Sequence, residues 1–278
     1  TQFTPYWWQD QPQYRNTEML PAKADCVVVG AGFTGLSAAL TMAKAGRHVI
    51  VLDSEAIGFG ASTRNGGMLG SGHKVSVDDA KKYYGPDIAA QLHCEANASL
   101  AFTKSLILNH NIDCDLQDCG RLRTAWTPQD FTDMADANVS LQKIEPFAAR
   151  MVKPDEMAQH INTQLYFGGL LYKSHASVQP RKLHYGLLQL AVEAGVQVFG
   201  GQAVLEVNPQ LDNFCISTQN KQMQNQQIQC QQVLMATNGY TQTKVSSFLA
   251  KRVMPVPSFV LVTEELGEDV VKALLPGG

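Results

Sequence analysis

Charge is scarce in this sequence and evenly divided. Its 278 residues carry 22 basic and 25 acidic side chains, a net charge of −3, with no long run of either sign. Nucleic acid and anionic membrane surfaces call for a basic patch, so this balance argues against both partners. Cysteine is sparse too. The six residues at 26, 94, 114, 119, 215 and 230 are too dilute for a disulfide scaffold, and their spacing fits neither C-x-x-C nor a zinc pattern. They read as buried or idle thiols. The histidines at 93, 110, 160, 175 and 184 show no ligand spacing, so no metal is expected. There is no internal repeat.

Long apolar runs are also missing, with one exception that dissolves on inspection. Cys26 to Ala43 is an uncharged run of 18 residues, long enough to suggest a spanning helix. Gly30, Gly32 and Gly35 interrupt it where a strand would turn into a helix. Asp10, Glu18 and Asp25 precede it, with Arg15 and Lys23 among them, which is not the basic leader of an export signal. The expectation is no membrane span, no signal peptide and a cytoplasmic location. The chain begins at Thr1 rather than Met and closes on Leu274-Leu275-Pro276-Gly277-Gly278, which reads as the start of a turn, so a trimmed or partial chain is expected.

What is present is a hydrophobic content of 45%, enough for a packed core in one or two domains. Residues 25–29 are continuously apolar, as in a strand buried on both faces. Residues 33–45 place Leu36, Ala39, Leu40 and Ala43 on one helical face, and Gly46 ends that helix. Residues 48–53 form the next strand, completing βαβ. A glycine-rich loop covers 58–72. Further along, the pattern predicts a helix over 87–110 and strands over 120–126 and 165–172. The helix between those strands opens at Thr127 and Pro128. A helix over 180–194 and strands over 196–199 and 203–207 follow. A hairpin pairs 214–218 with 227–231; eight glutamines fall in 219–232 and read as its solvated surface. A buried strand covers 233–237, and Pro255 and Pro257 suggest an edge strand over 254–264. Residues 1–24, with Tyr6, Trp7, Trp8 and Tyr14, read as irregular chain whose tryptophans pack it down.

Gly30-Ala31-Gly32-Phe33-Thr34-Gly35 is a G-x-G-x-x-G between the first strand and helix. Gly30 permits the turn, Gly32 lets a phosphate approach the helix N-terminus, and Gly35 lets helix and strand pack closely. Asp53 ends the second strand 18 residues after Gly35, near the spacing of about 20 for an acid that binds a ribose. An acid there disfavours NADP. The fingerprint itself leaves FAD and NAD open. The loop Ile57-Gly58-Phe59-Gly60-Ala61-Ser62-Thr63-Arg64-Asn65-Gly66-Gly67-Met68 separates them. An NAD domain would pass into another βα unit, whereas this loop offers amides, the Ser62 hydroxyl and the Arg64 charge to a second phosphate.

With these two loops at this spacing the chain resembles the family of FAD-dependent amine and amino-acid oxidases, the D-amino-acid oxidase-like proteins. Val178-Gln179-Pro180, Ala203-Val204-Leu205-Glu206-Val207 and Val233-Leu234-Met235-Ala236-Thr237-Asn238-Gly239 extend the resemblance over residues 25 to about 265. Pro5-Tyr6-Trp7-Trp8 and Arg64-Asn65-Gly66-Gly67 look most like γ-glutamylputrescine oxidase-type members. The resemblance implies an α/β fold, with a Rossmann-like FAD-binding domain over 1–111 and 173–250. A partial α+β substrate domain containing an antiparallel sheet would take 112–172 and 251–278. It implies FAD as cofactor, held by Gly30, Ala31, Gly32, Phe33, Thr34, Gly35, Asp53, Ser62, Arg64, Asn65, Gly66, Gly67 and Met68, with Val204 at the adenine and Ala236, Thr237 and Gly239 beside the diphosphate. The implied reaction oxidises the C–N bond of an amine or amino acid by hydride transfer to flavin N5, giving an imine that water hydrolyses. Oxygen or another acceptor would take the electrons. No general base is obligatory, and no catalytic residue is nominated; His73 reads as a solvated loop side chain. Members of this family typically continue for a further hundred residues or more, which leaves a second reading open: an incomplete or remnant chain that binds FAD without catalysis.

Overall fold

The computed structural model describes residues 3–9, 12–145 and 148–277; Thr1, Asp10 and Gly278, which entered the sequence reading, lie outside them. The chain opens with β1 (Lys23–Val29), α1 (Phe33–Lys44) and β2 (Val49–Asp53), the expected βαβ. There follow β3 (Met68–Leu69), α2 (Val77–Tyr84), α3 (Pro86–Asn109), β4 (Arg121–Thr124), α4 (Pro128–Gln142), β5 (Arg150–Val152), β6 (Gly169–Tyr172) and β7 (Ala176–Ser177). Then come α5 (Pro180–Glu193), β8 (Gln197–Gly200), β9 (Gln202–Pro209), β10 (Phe214–Asn220), β11 (Asn225–Met235), α6 (Ser247–Ala250) and α7 (Glu268–Leu274). Two compact units emerge, one of Thr1–Gly66 with Pro180–Val260 and one of Gly67–Gln179 with Leu261–Gly278. The sequence pattern puts 67–111 and 173–179 with the cofactor domain and 251–260 with the other; in the structure 67–111 and 173–179 pack in the second unit and 251–260 in the first.

The first unit is built on a six-stranded sheet in the order β8-β2-β1-β11-β10-β9. Its four strands β8, β2, β1 and β11 run parallel, and β10 and β9 add an antiparallel extension. Cys26–Val29 of β1 and Val49–Leu52 of β2 are buried along their whole length, as strands covered on both faces must be. One face packs Val27, Val29, Ile50, Leu52, Phe199, Ile216 and Ile228 into a single cluster with Cys230. Burial in this apolar setting pushes the Cys230 thiol up to about 11, so it stays protonated. All six cysteines are free.

The second unit rests on a three-stranded antiparallel sheet, β4-β6-β5. Ala125, Met134, Leu141, Ala149 and Leu170 form its core cluster, with Phe131 and Tyr172 packed against it. Helix α4 begins at Thr127, whose hydroxyl accepts from Asp130 N while Asp130 accepts from Thr127 N, a reciprocal cap that offsets two orphan donors.

Several elements depart from the sequence expectations, among them the short β3, β5, β7, α6 and α7, which have no counterpart there. The second hairpin arm and the strand expected over 233–237 are one continuous strand, β11. From Gln229 onward it pairs in parallel with β1 while its earlier residues still pair with β10, so one extended segment serves both neighbours. Helix α2 was not expected: Ser76 caps it through Asp79 N, with Asp78 and Asp79 in the first turn. Residues 254–264 form no strand. Pro255 and Pro257 remove two donors, and the segment is irregular and exposed. Among the described residues no helix is long and apolar enough to cross a membrane.

Candidate functional site

A cavity of about 730 Å³ opens in the first unit at the carboxyl ends of β1, β2 and β11, where Val29, Leu52 and Met235 reach its wall. In open parallel sheets this end, at the point where strand order reverses, is where ligands bind. Here β1 leads outward to β2 on one side and has β11 on the other.

The turn from β1 into α1 forms one wall. Gly30 takes φ +107°, and a Cβ on Gly35 would lie 1.9 Å from Gly30 O, so this strand-to-helix turn demands glycine at both positions. The backbone donors of the turn divide into two sets. Gly30 N donates to Leu52 O (2.7 Å), Ala31 N to Asp53 Oδ2 (2.9 Å) and Phe33 N to Ser62 Oγ (3.0 Å). The amides of Gly32 and Thr34, both in the cavity wall, find no acceptor among the described residues. They are the open donors of a 12-residue helix whose first turn holds no acidic side chain. No acidic side chain of that turn answers the partial positive charge of the helix N-terminus, which suits the end of α1 to a phosphate.

Asp53 also accepts from Glu55 N (3.0 Å) through its other carboxylate oxygen. Burial holds its carboxyl above the ordinary value, opposed by the two backbone donors. Each oxygen keeps lone-pair capacity toward the cavity beyond these single bonds.

Of the residues expected to bind the cofactor, Gly30, Ala31, Gly32, Phe33, Thr34, Asp53, Ser62, Val204, Ala236 and Thr237 line this one cavity. Gly35 lies behind it in α1, and Gly239 faces Pro255, with a Cβ there 3.0 Å from Pro255 Cβ. Arg64, Asn65, Gly66, Gly67 and Met68 are not in the wall. Arg64 lays its guanidinium over the corner where the Trp8 and Phe59 rings meet, 4.7 Å and 4.2 Å from their centroids, and its Nε donates to Phe59 O. The N-terminal tryptophans pin that loop: Trp7 Nε1 donates to Asn65 O and Trp8 Nε1 to Thr63 Oγ1, both at 2.8 Å. Met68 and Leu69 pair with Ser177 and Ala176 within the second unit. His73 is exposed and donates to Leu92 O in the same unit.

Sequence reasoning missed Glu55, Gln202, Tyr240 and Thr241 in the wall. It also missed two fully or nearly buried polar side chains of α5, Arg181 and His184. A signal for the latter exists. Positions 184, 188 and 191 follow i, i+4, i+7 on the buried stripe of a helix, so His184 interrupts an apolar face. Among the described residues no cluster of three potential metal ligands occurs.

The glycines, the open amides and the carboxylate at a strand end fit a dinucleotide, and the comparisons with known proteins point the same way. Residues 25–277 match the model of the family described as FAD dependent oxidoreductase. Probable oxidoreductase OrdL of Haemophilus influenzae is 29% identical over 259 residues, covering 92% of this chain and 59% of that protein. Gamma-glutamylputrescine oxidoreductase of Escherichia coli is 30% identical over 252 residues, covering 91% of this chain and 58% of that protein. The crystal structure of glycine oxidase from Geobacillus kaustophilus superposes with a TM-score of 0.68 at 18% identity, over 83% of this chain and 59% of that one. The chain thus spans under two thirds of the length of these relatives. With an α/β unit, a second unit containing an antiparallel sheet, and a family match over nearly all its residues, the chain belongs to the FAD-dependent oxidoreductase family.

Proposed function

We propose that the cavity of the first unit holds FAD and that the protein serves the oxidation of a C–N bond in an amine or amino acid. The observation that carries this reading is the pair of open amides, Gly32 and Thr34, at the N-terminus of α1, in one wall with the Asp53 carboxylate. Gly30 to Thr34 and Ser62 would hold the diphosphate, with Ala236 and Thr237 across the cavity. Asp53 would take the adenosine ribose, and Val204 would lie at the adenine. When bound, FAD supplies a hydride acceptor at flavin N5. The chain's own work is to bind, orient and exclude water. The name of the Escherichia coli relative favours an amine as substrate.

The experiment is a titration of flavin-free protein with FAD, followed by quenching of flavin fluorescence, and then an anaerobic survey of flavin bleaching by amines and amino acids. Saturable binding near one equivalent and bleaching by at least one amine are expected. Absence of flavin from the purified protein, with none taken up on addition, would sink the reading. Uptake without bleaching by any amine or amino acid would favour a chain that binds FAD without turnover.

A further inference from the structure

Helix α5 sends two polar side chains inward, and both end on backbone carbonyls of the glycine loops. His184 is fully buried, and its Nε2 lies 2.7 Å from Ala31 O. A carbonyl oxygen only accepts, so Nε2 carries the hydrogen and Nδ1 is the bare nitrogen. That Nδ1 is buried and has no hydrogen-bond partner among the described residues. Burial, aided by the Arg181 charge, pushes the ring's pKa down to about 4, so the imidazole is neutral at ordinary pH. Arg181 donates from Nη1 to Ile57 O at 2.9 Å and from Nη2 to Pro12 O at 3.1 Å. The two side chains occupy the space Gly58 leaves open: a Cβ there would stand 1.8 Å from Arg181 Nη1 and 3.1 Å from His184 Cε1.

The Ala31 carbonyl belongs to the same peptide unit as Gly32 N–H. No peptide bond among the described residues is cis, so the C=O and N–H bonds of that unit point in opposite directions. Holding Ala31 O against α5 therefore turns Gly32 N–H away from α5, to the side where Gly32 lines the cavity. A glycine-flanked peptide is otherwise free to flip at low cost. The bond from Nε2 also polarises the peptide and strengthens its N–H as a donor.

We propose that His184 is a positioning residue of the cofactor site, locking the Ala31–Gly32 peptide so that Gly32 N–H is presented to a diphosphate, while Arg181 fixes the second glycine loop at Ile57. This rests on the reading of the cavity as the FAD site. A glutamine carries its amide to the place of Nε2, whereas an asparagine stops at that of Nδ1, so the two variants differ in reach and in little else.

The test compares His184→Gln with His184→Asn in the full chain, titrated with FAD, with ADP and with adenosine, the last lacking any phosphate. Wild-type protein and His184→Gln are expected to bind FAD within about threefold of each other, and His184→Asn to bind FAD and ADP about tenfold or more weakly, the loss of one hydrogen bond to a charged acceptor. Adenosine is expected to be unaffected. Equal binding by the two variants overturns the proposal, as does an adenosine loss as large as that of ADP, which would mark a merely structural role. Failure of the wild type to take FAD sinks the underlying reading and the inference with it, and is seen without any variant. If the variants do not fold, ¹⁵N spectra of the wild-type histidines decide: protonated Nε2 with bare Nδ1 is expected for His184, and the opposite tautomer overturns the assignment.

Discussion

The two glycine loops of the first unit meet the same cavity but are held in different ways. The first, residues 30–35, is fixed by backbone geometry and by partners beneath it: Asp53 on Ala31 N, Ser62 on Phe33 N and His184 on Ala31 O. The second lines the cavity only over 58–62, and from Thr63 on it turns toward the N-terminal segment, with Trp7, Trp8 and Phe59 around it. A loop that must offer some naked amides to an anion cannot spend those on the protein, so it is held through the amides between them, Ala31 N and Phe33 N, and through the Ala31 carbonyl. A loop that must only stand in place can be held by side chains from outside.

That contrast breaks most severely at Gly35. Gly35→Ala sets a Cβ 1.9 Å from Gly30 O and 3.2 Å from Val28 Cγ1, a clash with backbone that α1 can relieve only by lifting off β1. Thermal unfolding should show a loss of about 3 kcal/mol or more, with FAD uptake abolished. Unchanged melting and uptake would show that the first loop is not constrained by close packing.

The matching test of the second loop is Thr63→Val. The buried Thr63 hydroxyl donates to Gly58 O at 2.6 Å and accepts from Trp8 Nε1, so a valine orphans both groups. Chemical denaturation should report a loss of about 2 to 3 kcal/mol. A loss well below 1 kcal/mol would mean that solvent replaces those partners and the loop is held elsewhere.

A pH series reaches the support under the first loop. Folded His184 has a pKa near 4 and the unfolded ring an ordinary value near 6.5, so between them the unfolded chain binds more protons and stability rises with pH. Stability contributed by neutral His184 is therefore present above pH 6.5 and lost as pH falls toward 4. From pH 7 to pH 5 the loss should be about 2 kcal/mol in the wild type and absent from His184→Gln. Taking the difference between the two proteins separates this effect from Asp53, whose raised pKa acts in the opposite direction. Parallel pH profiles would place the histidine in water.

The smallest effect belongs to Arg64→Ala, which removes a cation resting over the adjoining rings of Trp8 and Phe59 and a bond to Phe59 O. A stability loss of about 1 kcal/mol is expected, with a smaller change in FAD affinity than His184→Asn produces. A larger loss of affinity than in that variant would bring Arg64 to the cofactor and erase the difference between the loops.

Much of this was legible in the residues themselves. Strands such as β1 and β2 are contiguous and fully buried, so their apolar runs show them, and the glycines at 30, 32 and 35 mark a turn whose steric need is local. Asp53 could be placed at the strand end by counting. Less legible were elements whose partners lie far along the chain. Strand β11 reads as two pieces because its polar half pairs with β10 and its apolar half with β1. The glycine stretch 64–68 shares its loop with cavity residues, yet nothing local tells which side of Thr63 faces the cavity; that depends on Trp8, 55 residues away.

The order of elements, the glycine turn and the family are thus written in short-range pattern, because turn sterics and helical or strand period depend on neighbours in sequence. The tertiary structure alone decided which amides stay open and what holds them so. Gly32 N is presented by a histidine 152 positions later, and only the packing of α5 against α1 brings that ring to Ala31 O. A hydrogen bond between distant segments leaves no period in the sequence, and it becomes visible only when the fold has closed around it.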